Sequence, residues 1–208
     1  MGSSSIMDII SSAVVAGILF LIAANFNNQI VETAAVYGSN LSLQQNIVGL
    51  VGIVEHDFRR IGYCADYREI PEPNLSIRKA DSTSIRFWID VDNDGVLDSI
   101  HYYLGPPEEL TSTPNPRDRK LYRVVNGQYP VGWDLGVTGF RFKYFNSEGD
   151  TLSLPVADPR EVYSMEISIA IESPNPINQS YTASTDTLAD FRVFWRQLRL
   201  AARNLRNR

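Results

Sequence analysis

The chain has 208 residues, 44% of them hydrophobic, with a single cysteine and a net charge of -5. That length suits one domain plus an appended element. The negative balance argues against general nucleic-acid binding, and Cys64 alone excludes an internal disulfide or a cysteine-built zinc site. Charge is unevenly placed: Asp90, Asp92, Asp94 and Asp98 lie close together, whereas Arg192, Arg196, Arg199, Arg203, Arg206 and Arg208 crowd the end.

The first element is an apolar run from Ile6 to Phe26, with no polar residue between Ala13 and Ala24 and one charge, Asp8, near its start. About 20 helical residues cross a ~30 Å hydrocarbon core, so the run is long enough to span a membrane. A buried core helix of a soluble protein is the alternative, but such helices are usually shorter and end in Gly or Pro. No Lys or Arg precedes the run and no Ala-x-Ala site follows it, which argues against a cleaved secretory signal. Apolar residues then recur at Ile30, Ala34, Tyr37 and Leu41, and again at Ile47, Val51, Val54, Phe58 and Ile61. Spacings of three and four mark one face of an amphipathic helix. One long helix is therefore expected from about residue 5 to about residue 60, with residues 1–28 apolar all round and 29–62 an amphipathic continuation. Gly62, Pro71 and Pro73 end it.

From there the period changes to two. Strands are expected at Ser84–Asp90, Asp98–Leu104, Lys120–Val125, Val137–Phe145 and Val162–Ser173, with turns at Asp92-Asn-Asp-Gly95, Asn126-Gly127 and Glu148-Gly149. The prolines at 106, 107, 114 and 116 make the stretch after Leu104 a loop, and Ser173–Thr187 is another. Residues 191–205 are ambiguous. Phe191, Phe194, Trp195, Leu198, Ala202 and Leu205 fit a helical face and propensity favours a helix, yet Leu198, Leu200 and Ala202 also alternate as a strand would. A helix followed by a run of strands gives an α+β fold: a long N-terminal helix packed on an antiparallel β domain, residues 63–208.

Five segments in this order resemble the type IV pilin and type II secretion pseudopilin superfamily, most closely its W-type minor pilins and J-type pseudopilins. They are the helix exit Asp57-Phe-Arg-Arg-Ile-Gly-Tyr63, the hairpin Ser84–Leu104 with its Asp/Gly-rich turn, Leu121-Tyr-Arg-Val-Val-Asn-Gly127, Phe140–Gly149 and the terminal Arg203-Asn-Leu205. The match departs at its start. Family members are cut between Gly and Phe and carry Glu fifth after the cut; here Ser3 follows Gly2, Met7 is fifth and Asp8 sixth. The resemblance makes the last segment a strand, against its helix propensity. It implies a structural subunit with no enzymatic activity, stored in the cytoplasmic membrane by a single span. Such a subunit polymerises into a surface filament or periplasmic pseudopilus with copies of itself or other pilin-like subunits, served by inner-membrane assembly machinery. Assembly would then rest on Gly2, Asp8, Ala13, Val14, Leu19, Phe20 and Ile22, and helix–sheet packing on Ile47, Val51, Val54, Phe58 and Ile61. By the same resemblance Asp8 would pair with the α-amine of a neighbouring subunit, as Glu does in the family. The other reading is a membrane-anchored binding module that never polymerises. A mere anchor needs only the apolar span, whereas a polymer core needs that span to run without a linker into a packed stripe.

Other chemistry is sparse. Asp90-x-Asp-x-Asp-Gly-x-x-Asp98 repeats part of a calcium loop: oxygens at alternating positions, a Gly for the sharp turn and a later Asp. The bidentate Glu of such loops is replaced by His101, and a plain hairpin turn also favours Asp, Asn and Gly. Calcium, bound by Asp90, Asp92, Asp94 and Asp98, is the one cofactor expectation. His56, between Glu55 and Asp57, reads as part of a solvated helix face, and His101 as a surface strand residue. No nucleophile–base set and no phosphate loop is present in the sequence. Arginines at the end lack the aromatic clustering of a base-stacking surface, so nucleic acid is not an expected partner.

Overall fold

In the structure, a computed structural model, residues 2–70, 72–175, 191 and 193–201 are described. One helix, α1 (Gly2–Arg59), is followed by seven strands: β1 (Ile77–Ala80), β2 (Ser84–Ile89), β3 (Asp98–Leu104), β4 (Arg119–Val125), β5 (Val131–Phe145), β6 (Ser164–Glu172) and β7 (Val193–Ala201). The strands form one sheet in chain order, β1-β2-β3-β4-β5-β6-β7, and every neighbouring pair is antiparallel. The architecture is thus α+β. By internal contacts the chain divides into two compact units, Met1–Leu41 and Ser42–Arg208.

The first unit is helix alone. From Ile6 to Leu41 none of its residues is buried, and the predicted face at Ile30, Tyr37 and Leu41 lies as open as the apolar run before it. Among the described residues, burial along the amphipathic stripe starts at Leu43, later than the sequence spacing suggests.

In the second unit the helix residues Leu43, Ile47, Leu50, Val54 and Phe58 are buried, and Ile61 follows just past the helix end. Val51 is half-buried at the rim of the same core. Leu43 and Leu50 complete a heptad-like spacing that the list Ile47, Val51, Val54, Phe58, Ile61 misses by one residue. The sheet answers with alternate side chains: Ile85, Phe87 and Ile89 of β2, Ile100 and Tyr102 of β3, Phe140, Phe142 and Tyr144 of β5, and Ile167, Ile169 and Ile171 of β6. A strand turns successive side chains to opposite faces, so this period of two is what lays them on one side. Phe58 sits among the rings, 5.0 Å from Phe87, 5.4 Å from Tyr102 and 5.8 Å from Phe142 between centroids. Aromatic pairs at such separations add to the area they bury.

The strand expectations hold for β2, β3, β4, β6 and, as the family likeness has it, the last segment, and need two corrections. β1 goes unseen in the sequence because it is four residues long and half charged, as suits an edge strand protected from stray pairing. β5 starts at Val131, not Val137, because Gly132 and Gly136 interrupt the apolar pattern. Gly136 has φ +74°, and a Cβ there would meet the Glu172 carbonyl oxygen at 2.6 Å, so glycine is required. β7 is a strand, as the family likeness implies and local propensity does not. Leu200 and Leu198 pair with Met165 and Ile167 of β6, and cross-strand burial outweighs helix preference. The terminal Arg203-Asn-Leu205 and the sequence after Asn175 up to residue 190 lie outside the described residues.

A loop between β3 and β4 is tied to the end of β6. Asn115 Nδ2 donates to Glu172 Oε2 at 3.0 Å and Arg117 Nε to the same oxygen at 2.9 Å. Next to these, Asp118 is buried; burial and the nearby Asp134 carboxylate push its carboxyl up to about 6.

Two predictions follow from this packing. Phe58→Ala should lower the unfolding free energy of the full chain in detergent by about 3–5 kcal/mol, read by urea titration, because it opens a cavity at the centre of the ring cluster. Asp118 has a folded pKa above the unfolded carboxyl value of about 3.9, so its contribution is fully present below that value and is lost as pH rises through about 6. Asp118→Asn should therefore raise the melting temperature at about pH 8 and leave it unchanged at about pH 4.

Candidate functional site

The residues expected to act in assembly all fall in the first unit. Gly2 opens α1. Asp8 and Ala13 are exposed, as are Val14, Leu19, Phe20 and Ile22, each more than half open, with Phe20 at 73%. At 100° per residue these positions ring the helix instead of sharing one face. A helix that is apolar all round is stable when buried on all sides, in a membrane or among other helices. Among the described residues from Ile6 to Leu41 none is buried. The stretch is long and apolar enough to cross a membrane.

Asp8 is the only ionisable residue between Gly2 and Val31, and the first basic side chain along α1 is His56. A carboxylate in such a stretch is costly in a dry setting unless it is paired.

At the other end of α1 the structure places a polar group that sequence reasoning assigns to the solvated face. Asp57 has only 4% of its side chain exposed. Its Oδ2 accepts from Tyr102 Oη at 2.7 Å and from Arg123 Nε at 2.6 Å. His56 is indeed solvated, with 64% of its side chain exposed, and its Nδ1 lies 3.4 Å from Asp57 Oδ1. The signal was available: position 57 is three after Val54 and seven after Leu50, which is the core side of the helix. Burial lowers the affinity of Arg123 for its proton, but the hydrogen bond to Asp57 and its charge outweigh that and raise it. Burial, the Asp57 charge and the hydrogen bond to it push the Tyr102 phenol well above its ordinary value. Asp57, Arg123 and Tyr102 thus join α1 to β4 and β3 through one charge-assisted cluster, which positions the elements and has no open face for a substrate.

Comparison with known proteins gives one likeness. The chain is similar in structure to a type IV-like pilin from Thermus thermophilus, at 10% identity over 78% of this chain and 96% of that chain, with a TM-score of 0.44. No family model matches the chain, and no curated protein matches it.

The acidic turn lies between β2 and β3. Asp90, Asp92 and Asp98 each bring a ligand atom within 4.8 Å of the other two. Asp94 is outside this group, and its Oδ1 accepts from the Val96 N–H at 2.8 Å. His101, at the position of the missing Glu, is on β3, where its ring lies 4.8 Å from that of Tyr103. It is half-buried; burial, then the charges of Arg86 and Lys79, hold its imidazole below the usual range. Cys64 is buried and 3.8 Å from Asp90 Oδ2. Burial pushes its thiol up, which disfavours the thiolate.

The buried cluster gives a stability test. Removing one partner of a buried pair leaves an uncompensated charge and typically costs about 3–5 kcal/mol. Arg123→Met should lower the unfolding free energy by that amount, and adding Asp57→Asn should recover a large part of it, both read from urea unfolding of the full chain in detergent.

Proposed function

We propose that this chain is a pilin-like structural subunit. The first half of α1 holds it in the membrane as a single span, and the same apolar surface then packs against the helices of other subunits in a surface filament or secretion pseudopilus. One observation carries the reading. A single helix is uncovered from Ile6 to Leu41 yet buried on one side at Leu43, Ile47, Leu50, Val54 and Phe58. A tether joined by a flexible linker would be enough for an anchored binding domain. Helix that passes without a break from an all-apolar stretch into a packed core is what a polymer subunit needs, because it carries register from the assembled helices to the β domain. The sequence resemblance to W-type minor pilins and J-type pseudopilins supports the same reading, with copies of itself or other pilin-like subunits as partners.

Asp8 then acts in assembly. Along α1 there is no basic side chain before His56, so its counter-charge comes from a neighbouring subunit. The pair would neutralise both charges and favour one axial stagger of the helices.

Comparing Asp8→Asn and Asp8→Glu with the unaltered chain in the cells that make it tests this. Asp8→Asn should leave the chain in the membrane fraction with an intact β domain but cut shear-released filaments by about a hundredfold, as expected when a buried charge loses its partner. Asp8→Glu should retain part of the yield. Normal filaments from Asp8→Asn would remove Asp8 from assembly, and an unaltered chain that never leaves the membrane fraction would favour the anchored binding module.

A further inference from the structure

The turn between β2 and β3 is built onto the exit of α1. The Gly62 N–H donates to the Trp88 carbonyl at 3.0 Å and the Asp90 N–H to the Tyr63 carbonyl at 2.9 Å. Arg60 Nη1 donates to the Val91 carbonyl at 3.2 Å, and Nη2 to the Asp90 carbonyl and to Asn93 Oδ1. The N–H groups of Ala65 and Gly95 donate to Asp90 Oδ2 at 2.9 and 3.1 Å. The turn therefore grips residues 60–65 from both its backbone and its first carboxylate.

Two independent observations meet at its centre. One is the grouping of Asp90, Asp92 and Asp98 with ligand atoms within 4.8 Å of one another. Calcium–oxygen distances are about 2.3–2.6 Å, so that separation is about the span between two ligands on opposite sides of the ion. The other is an orphan. Asp90 has no exposed surface, and although its Oδ2 is well supplied, its Oδ1 has no hydrogen-bond partner among the described residues. The carboxyl is thus buried and half unsatisfied, and such an oxygen costs free energy until something meets it. Two further carboxylates beside it add repulsion. One small divalent cation answers both costs.

We propose that Asp90, Asp92 and Asp98 bind one Ca²⁺ ion, which fastens the β2–β3 turn to the exit of α1. The donors are all hard oxygens, which suit calcium over softer metals. Magnesium demands near-ideal octahedral geometry at about 2.0–2.1 Å and keeps its waters, so it fits the wide grouping less well. The site is a weak one. It lacks the bidentate Glu of high-affinity loops, Asp94 is turned away to Val96, and Arg60 already neutralises part of the turn from its backbone side. Affinity in the range of about 10⁻⁴–10⁻³ M, that of extracellular calcium modules, is expected.

Thermal melting of the full chain in a non-ionic detergent, with calcium against chelator, tests the assignment. Calcium at about ten times the dissociation constant should raise the folded-to-unfolded ratio about elevenfold and the melting temperature by about 3–6 °C. Asp92 is exposed, so Asp92→Asn should fold normally and lose the shift, while Asp94→Asn should keep it. Equal melting of the unaltered chain with calcium and with chelator would overturn the proposal. So would a full shift in Asp92→Asn, loss of the shift in Asp94→Asn, or the same shift with magnesium.

Discussion

The sheet depends on the contact it makes with one side of α1. An antiparallel sheet with Phe87, Ile100, Tyr102, Phe140, Phe142 and Ile169 on one face cannot leave that face in water. In this protein a single helix segment covers it, and the cover is polarised: aliphatic at Leu43, Ile47, Leu50 and Val54, aromatic at Phe58. Burying such side chains contributes roughly 1.5–3 kcal/mol each. The neighbouring Asp57 fixes the rotation and height of the helix in a way greasy contact does not. Its carboxylate meets Tyr102 and Arg123 from two different strands, and a helix turned or shifted by one residue would leave three polar groups buried without partners.

That arrangement explains how a helix can serve two surroundings at once. In the second unit its pattern is constrained by the sheet, and the buried residues recur every three or four positions along one side. In the first, Ala13 to Ala24 have no polar residue at all, a pattern that suits burial on all sides. The boundary between the two regimes lies near Leu41, where burial begins. Nothing in the backbone marks it, for α1 runs through Gly38, Gly49 and Gly52 without interruption, and a Cβ at any of these would meet nothing.

Much of this was legible in the residues. The change of period from 3.6 to two at Gly62 separates helix from sheet, and the hairpin of β2 and β3 shows in alternating apolar residues around a strong turn. What hid from the sequence was hidden for physical reasons. β1 is too short and too charged to show a period. The start of β5 is masked by glycines, one of which is present because another strand's carbonyl passes close by. β7 has the composition of a helix and is a strand because β6 offers it partners. Asp57 looked solvated because a charged residue next to His56 and Glu55 usually is; its burial depends on Arg123, 66 residues further on. The acidic turn was visible as a motif, but its ligand grouping drops Asp94, whose carboxylate satisfies its own backbone instead.

The order of the strands bears on how the domain reaches this state. Among the described residues each strand pairs with its neighbours in the chain, so the sheet can grow hairpin by hairpin without crossovers. The contact between α1 and the sheet is different. It joins the beginning of the domain to strands far along the chain and can form only once β2 to β6 are laid side by side. The helix segment from Leu43 to Phe58 must therefore wait, apolar and uncovered, until the sheet is complete. Under the membrane placement proposed above for its first half, α1 is already a helix when the sheet closes on it.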